Sequence, residues 1–107
     1  MFAASIDARK NMGAVVRSWR LHLRTTTDLE ELARWINPVV RGWMNYYGRF
    51  YRTEIHAILR RINTYLVRWA RRRFKRLRSF KKAQRWWKGL LQRQPGLFAH
   101  WKWMTEF

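Results

Sequence analysis

The segment from Asn37 to Tyr47 reads Asn-Pro-Val-Val-Arg-Gly-Trp-Met-Asn-Tyr-Tyr, and it constrains the fold more than any other part of the chain. Asn37 is suited to cap a helix, because its side-chain oxygen can accept hydrogen bonds from the free amides of the first turn. Pro38 suits the first helical position, where no amide donor is needed. The helical spacing of the apolar residues then predicts an amphipathic helix from Pro38 to about Tyr51. Its apolar side comprises Val39, Val40, Trp43, Met44, Tyr47 and Phe50, and Arg41, Asn45, Arg49 and Arg52 lie on or near the opposite side.

The same spacing recurs along the rest of the chain and predicts an all-α fold, a small bundle of about five helices in a single domain from residue 1 to 107. A short second helix should begin at Leu29 and end before Pro38, since the residue before proline avoids helical angles. A short extended tail, Leu97 to Trp103, should follow the Pro95-Gly96 break and pack back on the bundle. The other helices are expected at about Ala4–Leu23, Glu54–Leu77 and Phe80–Arg93, and the candidate N-caps are Thr27 or Asp28, Thr53 and Ser79.

The apolar stripes of these helices give the expected core. Trp19, Trp35, Trp43 and Trp69 are predicted to be buried, and Trp86 is expected at the edge of the core. Gly42 and Gly48 weaken a helix, so we expect a close approach of a neighbouring helix or backbone at both. The other residues predicted to face inward are Ala8, Met12, Val15, Val16, Leu23, Leu29, Leu32, Ala33, Ile36, Ile55, Ile58, Leu59, Ile62, Leu66, Ala70, Phe74, Leu77, Phe80, Ala83, Trp87, Leu90 and Leu91.

The charge of the chain indicates a polyanionic partner. Lys and Arg number 24 against six Asp and Glu, which gives a formal charge of +18, and 18 of the cations are arginine. Solubility alone needs a net charge of only about 2 to 8 in a small domain. From Arg68 to Lys88, eleven of 21 residues are basic and none is acidic. A solvated helix face would normally intersperse acids as i,i+4 partners, so this stretch favours nucleic-acid binding.

The sequence argues against several other functions. The six acids are dispersed, and three of them lie at helix starts, so they do not form the paired carboxylates that hold two metals in nucleotidyl transfer. The three histidines are far apart and the chain has no cysteine, which disfavours a metal site or a disulfide. We therefore predict a binding module without cofactor rather than an enzyme. No stretch is long enough to span a bilayer and no signal peptide is recognisable, so we expect a cytoplasmic, bacterial protein, with an organellar origin left open.

The motif Asn37-Pro38-x-x-Arg41-Gly42-Trp43-x-Asn45-Tyr46-Tyr47 resembles the maturase-specific domain of group II intron reverse transcriptases, also called domain X or the thumb. The preceding Leu29-x-x-Leu32, the later Trp69-x-Arg71-Arg72-Arg73 and the tail Leu97-Phe98-Ala99-His100-Trp101 are similar to that family as well. The resemblance extends from about Ala8 to Trp103. It implies a helical domain that binds intron RNA, helps the RNA reach its splicing-competent fold, and guides the template–primer duplex during target-primed reverse transcription.

The departures from the family limit what the resemblance implies. The polymerase palm with its Tyr-x-Asp-Asp motif and the HNH endonuclease are absent from this sequence, so neither activity is carried over. The chain is then either a stand-alone RNA-binding module or a truncated remnant of a longer reading frame. The residues expected to contact RNA, from the resemblance and from the basic run, are Arg41, Asn45, Arg60, Arg61, Arg68, Arg71, Arg72, Arg73, Lys75, Arg76, Arg78, Lys81, Lys82 and Arg85.

Three alternatives remain open from the sequence. A generic DNA-binding helical domain would bind duplex DNA at least as well as folded RNA. A cationic membrane-surface module would expose Leu and Trp beside its basic faces, without inserting across the membrane. A purely structural part would complete a reverse transcriptase whose palm is supplied by another chain.

Overall fold

The computed structural model describes residues 2–107, with side chains from Asp7 onwards, and confirms the all-α bundle. No strand occurs among these residues, and none of the helices within them has the length and apolarity needed to cross a bilayer. Short 3-10 turns follow the first, third and fourth helices, at Leu21–Leu23, Lys75–Leu77 and Ala99–Lys102. The four α-helices are α1 (Phe2–Trp19), α2 (Leu29–Tyr47), α3 (Arg52–Arg73) and α4 (Phe80–Arg93).

Helix α3 is the centre of the bundle and contacts α1, α2 and α4. Its predicted stripe from Ile55 to Ala70 is buried along its whole length. The helix begins at Arg52, with Tyr51 rather than Thr53 at the N-cap position, and it ends at Arg73 rather than Leu77. Phe74 adopts an extended conformation there, which ends the helix. The long helix with a buried aliphatic stripe is confirmed, and the two predicted ends are wrong.

The predicted helix break at Pro38 is wrong, because α2 runs without interruption from Leu29 to Tyr47 with Pro38 inside it. A proline within a helix removes one backbone hydrogen bond and costs about 3 kcal/mol. The buried side of the helix nevertheless continues across it at every fourth residue, through Leu32, Ile36, Val40 and Met44. Burial of this continuous ridge outweighs the local preference of proline, so the predicted second and third helices are one.

Asn37 is therefore not an N-cap, and its side chain is buried inside α2. Its Nδ2 donates to the Leu97 carbonyl at 3.0 Å, and its Oδ1 accepts from the Ala99 amide at 2.9 Å. A single amide group thus satisfies one donor and one acceptor of the C-terminal backbone. The side chain predicted to begin a helix instead holds a segment 60 residues away against α2.

The C-terminal segment packs back on the bundle as predicted, but it forms the 3-10 turn Ala99–Lys102 rather than an extended piece. Phe98 and Trp101 are buried in the core. The Trp101 ring lies edge-on to Trp87 of α4, with ring centroids 5.3 Å apart. Trp87 in turn donates from Nε1 to the Thr105 carbonyl at 2.7 Å. The segment is an integral part of the core.

Asn63 on α3 is fully buried, and its side chain has four hydrogen-bond partners. Its Nδ2 donates to the carbonyls of Met104 and Glu106, at 3.2 and 2.8 Å. Its Oδ1 accepts from Trp101 Nε1 at 3.1 Å and lies 2.6 Å from His100 Nε2. The indole is a donor only and the two carbonyls are acceptors only, so these partners fix the orientation of the amide. All four hydrogen-bonding positions of Asn63 are filled.

The same geometry fixes the state of His100. Burial lowers the pKa of His100 to about 3, so the ring is neutral at pH 7. Since Asn63 Oδ1 can only accept, His100 Nε2 carries the proton and donates it. Nδ1 therefore carries no proton, and it is buried without a hydrogen-bond partner.

Several residues predicted to be in the core lie at the surface. Trp35 is 45% exposed and Phe80 57%, and Val15, Leu23 and Val39 are also exposed. Phe50 is 77% exposed because α2 ends at Tyr47 and the residue falls in the following turn. Leu23 lies beyond the end of α1, where Arg20 adopts left-handed angles (φ 49°, ψ 46°) and ends the helix at Trp19. Trp19 and Trp69 are buried, and Trp43 and Trp86 are half-buried at the edge, as predicted for Trp86.

Gly42 and Gly48 should respond oppositely to replacement by alanine. A Cβ on Gly48 would collide with the Trp103 ring and the Met44 carbonyl, whereas a Cβ on Gly42 would have no neighbour within 4 Å. The predicted close approach is therefore confirmed at Gly48 and wrong at Gly42. We expect Gly48→Ala to lower the free energy of unfolding by about 1–3 kcal/mol through overpacking. Gly42→Ala should raise it by about 0.5–1 kcal/mol through helix propensity.

Urea denaturation of the two single variants beside the parent protein measures this contrast. Each variant adds one methyl group in the same twenty-residue region, so Gly42→Ala serves as the control for Gly48→Ala. Equal stabilities of the two variants would contradict the packing of Trp103 on Gly48.

Candidate nucleic-acid interface

The acids of the chain leave most of its positive charge uncompensated. Asp28 pairs with Arg73 at 3.0 Å, and the exposed pair Glu106 and Arg60 approaches only to 3.9 Å. Even if every acid paired with one cation, the formal charge of +18 would remain. A surface pair of this kind contributes at most about 1 kcal/mol, so Arg60 remains available to an anionic ligand.

A concave surface of about 630 Å³ runs along α3, and we call it the α3 groove. Arg61, Tyr65 and Arg68 follow one another on one helical face, at intervals of four and three residues. The start of α4 supplies Phe80 to the opposite wall. The basic residues that line the α3 groove are Arg60, Arg61, Arg68 and Arg71, four members of the set that the sequence predicts to contact RNA.

Two arginines of the predicted set hold the protein's own backbone. Arg71 donates from Nε to the Leu77 carbonyl at 3.2 Å and from Nη2 to the Arg78 carbonyl, which fixes the turn between α3 and α4. Arg73 donates to the Thr27 carbonyl and to Asp28. These contacts order the basic turn, so both arginines contribute to the shape of the surface as well as to its charge.

A second concavity of about 380 Å³, the α4 groove, lies beyond this turn. Arg76 comes from the turn, Lys82 and Arg85 come from the first half of α4, and the half-buried Trp86 forms part of the wall. Arg93, which was outside the predicted set, lines the same groove. The remaining cations of the run, Arg72, Lys75, Arg78 and Lys81, are exposed on α3, on the turn and on α4.

Arg41 and Asn45 lie apart from these residues. They line a groove of about 390 Å³ between α2 and the C-terminal segment, which we call the α2 groove. Lys102 and the Pro95-Gly96 turn complete it. The sequence did not indicate Lys102, because nothing local shows that the C-terminal segment folds back beside α2.

Helix α1 adds cations that lie outside the set predicted to contact RNA. Arg9, Lys10 and Arg17 line a shallow groove of about 350 Å³ with Arg61 of α3. Gly13 allows this approach, since a Cβ there would lie 2.8 Å from Arg61 Nη1. Arg61 also lines the α3 groove, so the basic surface continues from α3 onto α1. The glycine within α1 was the available signal that a side chain from another helix crosses at this point.

The three histidines have separate surroundings. His22 stacks on Tyr65 with ring centroids 5.2 Å apart, His56 lies near Trp103, and His100 is buried beside Asn63. Burial lowers the pKa of His22, and the positive charges of Arg68, Arg72 and Arg20 lower it further. Within the described residues, no group of three His, Cys, Asp or Glu side chains is placed to hold a metal ion.

Comparison with known proteins places this basic helical domain in a family. The family model described as "Group II intron, maturase-specific domain" matches residues 9–87, which include α1 from Arg9 onwards, all of α2 and α3, and about half of α4. No curated protein and no solved structure matches the chain. The matched domain is the maturase-specific region and not the polymerase palm. Since the match covers well over half of the sequence, the chain belongs to the group II intron maturase-specific domain family.

Proposed function

We propose that this domain binds structured group II intron RNA through its basic grooves and thereby assists splicing. The observation that carries the proposal is the α3 groove, in which Arg60, Arg61 and Arg68 face a concave surface within a maturase-family domain. Guanidinium groups donate two parallel hydrogen bonds to phosphate, which favours backbone contacts. In a protein that also contains a palm, the same surface would guide the template–primer duplex.

Folded RNA fits this surface better than duplex DNA does. RNA is recognised mostly through its shape, its phosphates and its unpaired bases, which stack on aromatic side chains. Tyr65 and Phe80 line the α3 groove and Trp86 lines the α4 groove, so both of these grooves offer an aromatic ring beside their arginines. A direct competition between intron RNA and duplex DNA of equal length separates the two ligands, and stronger binding of the duplex would favour the DNA-binding alternative.

The affinity for intron RNA should fall steeply with salt. Each phosphate that a cation neutralises releases counterions and contributes about −0.7 to −0.9 to the log–log slope. Four contacts in the α3 groove would weaken binding by about 100-fold between roughly 50 and 200 mM salt. Filter binding of a group II intron transcript over this range measures the slope. A flat response would remove the electrostatic basis of the proposal.

The exposed apolar side of α2 supports a second candidate, binding to an anionic membrane surface. Trp35, Val39 and Tyr46 are exposed on this helix, and Arg34 and Arg41 flank them. A basic helix with exposed aromatic residues can lie at a lipid headgroup region. Co-sedimentation with vesicles containing anionic lipid and with neutral vesicles tests this, and absence of binding to both would discard it.

A further inference from the structure

A basic cluster lies at the junction of α1 and α3, where the turn after α1 packs on α3. Arg20 ends α1 with φ 49°, and among the described residues it is the only non-glycine with a positive φ. Glycine or asparagine is the usual residue at this position after a helix, because a Cβ strains left-handed backbone angles. The turn that Arg20 starts, Leu21–Leu23, carries His22 against α3. Arg20 thus adopts left-handed backbone angles that favour glycine over residues with a side chain.

Helix α3 presents an aromatic and basic face to this turn. Tyr65 stacks on His22 with an angle of 29° between the rings, and the Arg68 Cζ lies 5.8 Å from the centre of the Tyr65 ring. Arg72 follows Arg68 by one helical turn, which places it on the same face after a rise of roughly 6 Å. Arg20, Arg68 and Arg72 are all exposed. No acid occurs between Glu54 and Glu106, so this part of α3 has no negative charge of its own.

The three arginines all lie close enough to His22 to lower its pKa. Their charges all disfavour the protonated form of His22, in addition to the effect of burial on its pKa. Arg68 and Arg72 belong to α3, whereas Arg20 lies two residues before His22 in the same segment. The ring that contacts His22 is that of Tyr65. Positive groups that converge in this way raise the local potential, and an anion bound among them would relieve it.

We propose that Arg20, Arg68 and Arg72 form a phosphodiester-binding site, in which the backbone of an RNA strand lies beside His22. The inference rests on the proposed function, because it assigns one subsite of the RNA-binding surface. Arg68 also lines the α3 groove, so a strand that leaves this groove reaches the site directly. Through Arg20, the site adds the turn after α1 to a surface that the sequence placed on α2, α3 and α4.

Binding of a phosphate here is coupled to a proton on His22. In the free protein, burial and the three arginines keep the pKa of His22 below its usual 6.5. A bound phosphate neutralises the arginines and attracts the imidazolium, so the pKa is higher in the complex. Between these two pKa values the complex holds more protons than the free protein, and affinity therefore increases as the pH falls. Because only one proton is taken up, the affinity can rise by at most about tenfold for each pH unit.

The first experiment compares two double variants that each remove two positive charges. In R68Q/R72Q both charges come from the proposed site, and in R34Q/R49Q they come from exposed positions on and after α2, outside the site and the grooves. Filter binding of a group II intron transcript at pH 8 should weaken about tenfold for R68Q/R72Q, with a log–log salt slope shallower by about 1.5. The control should lose about threefold or less. Equal losses in the two variants would overturn the site.

The second experiment measures binding of the same transcript from pH 8 to pH 6. We expect the affinity of the parent protein to rise several-fold over this range, and that of His22→Phe, which keeps a ring against Tyr65, to stay constant. His56→Phe changes the other half-buried histidine and should retain the parent dependence. His22→Gln serves in place of His22→Phe if circular dichroism shows that the latter is unfolded.

The outcomes separate the two proposals. A parent protein that binds no RNA at any pH or salt concentration would refute the proposed function and the site with it. A parent that binds RNA with a steep salt dependence but without a pH dependence, or a His22→Phe variant that retains that dependence, would refute only the site at His22.

Discussion

Replacement of Asn63 by leucine should destabilise the fold by about 4 kcal/mol. Leucine has a similar volume but no hydrogen-bonding groups, so His100 and Trp101 would lose the acceptor that both now share. Each buried donor left without a partner costs about 1–3 kcal/mol. The carbonyls of Met104 and Glu106 would lose their donor as well. A loss of this size is a large fraction of the roughly 5–15 kcal/mol that stabilises a small domain.

The free energy of unfolding from urea titrations, followed by circular dichroism, measures the effect. Asn45→Leu is the matched control, because it makes the same chemical change at an exposed position on α2. We expect this control to lie within about 0.5 kcal/mol of the parent protein. An Asn63→Leu variant as stable as Asn45→Leu would contradict the role of the buried amide.

The helical architecture could be predicted because burial follows the helical period. The stripe of α3 from Ile55 to Ala70 and the inward side of α4 from Ala83 to Leu90 are apparent in the sequence and buried in the structure. The helix continues through Pro38 because the longer apolar pattern outweighs the local effect of the proline. Leu32, Ile36, Val40 and Met44 keep one spacing across the proline, and this continuity indicated a single helix.

The roles of the two buried asparagines could not be predicted. Asn37 and Asn63 bind backbone groups 41 to 62 residues away, and no spacing within a helix indicates such a partner. Their local surroundings instead suggested an N-cap for Asn37 and gave no role to Asn63. Buried amides that join distant segments become recognisable only when the segments are in contact.

The candidate interface was predictable in its charge but not in its arrangement. The run without acids located the cations from Arg68 onwards, and the structure brings two of them, Arg68 and Arg71, into one groove with Arg60 and Arg61. In the structure, Arg73 also donates hydrogen bonds to Thr27 and Asp28, which lie 46 and 45 residues earlier in the chain. Sequence spacing does not reveal such a contact. The cations of α1 were not predicted to belong to the interface. A polar helix face has the same sequence pattern whether it faces only solvent or also lies beside an arginine of another helix, as α1 does with Arg61.

Removal of residues 95–107 should prevent the domain from folding, although the family match ends at residue 87. The shortened chain would lose Phe98 and Trp101 from the core, and loss of a buried aromatic side chain costs about 3–5 kcal/mol. Asn37, Asn63 and the indole of Trp87 would also lose partners in the removed segment. These losses together exceed the stability of a typical small domain. We expect low helicity and no cooperative unfolding transition by circular dichroism.

A chain that ends after Thr105 provides the control. It keeps Phe98, Trp101 and the Thr105 carbonyl that accepts from Trp87, and it loses only Glu106 and Phe107. Asn63 then loses one of its two carbonyl partners, so this chain should fold with a stability lower by about 1–3 kcal/mol. A cooperative transition in the chain that ends after Gln94, with a midpoint near that of the control, would mean that the bundle does not need its C-terminal aromatic residues. The domain would then fold without the segment after Gln94, and the amide contacts of Asn37 and Asn63 would be incidental to folding.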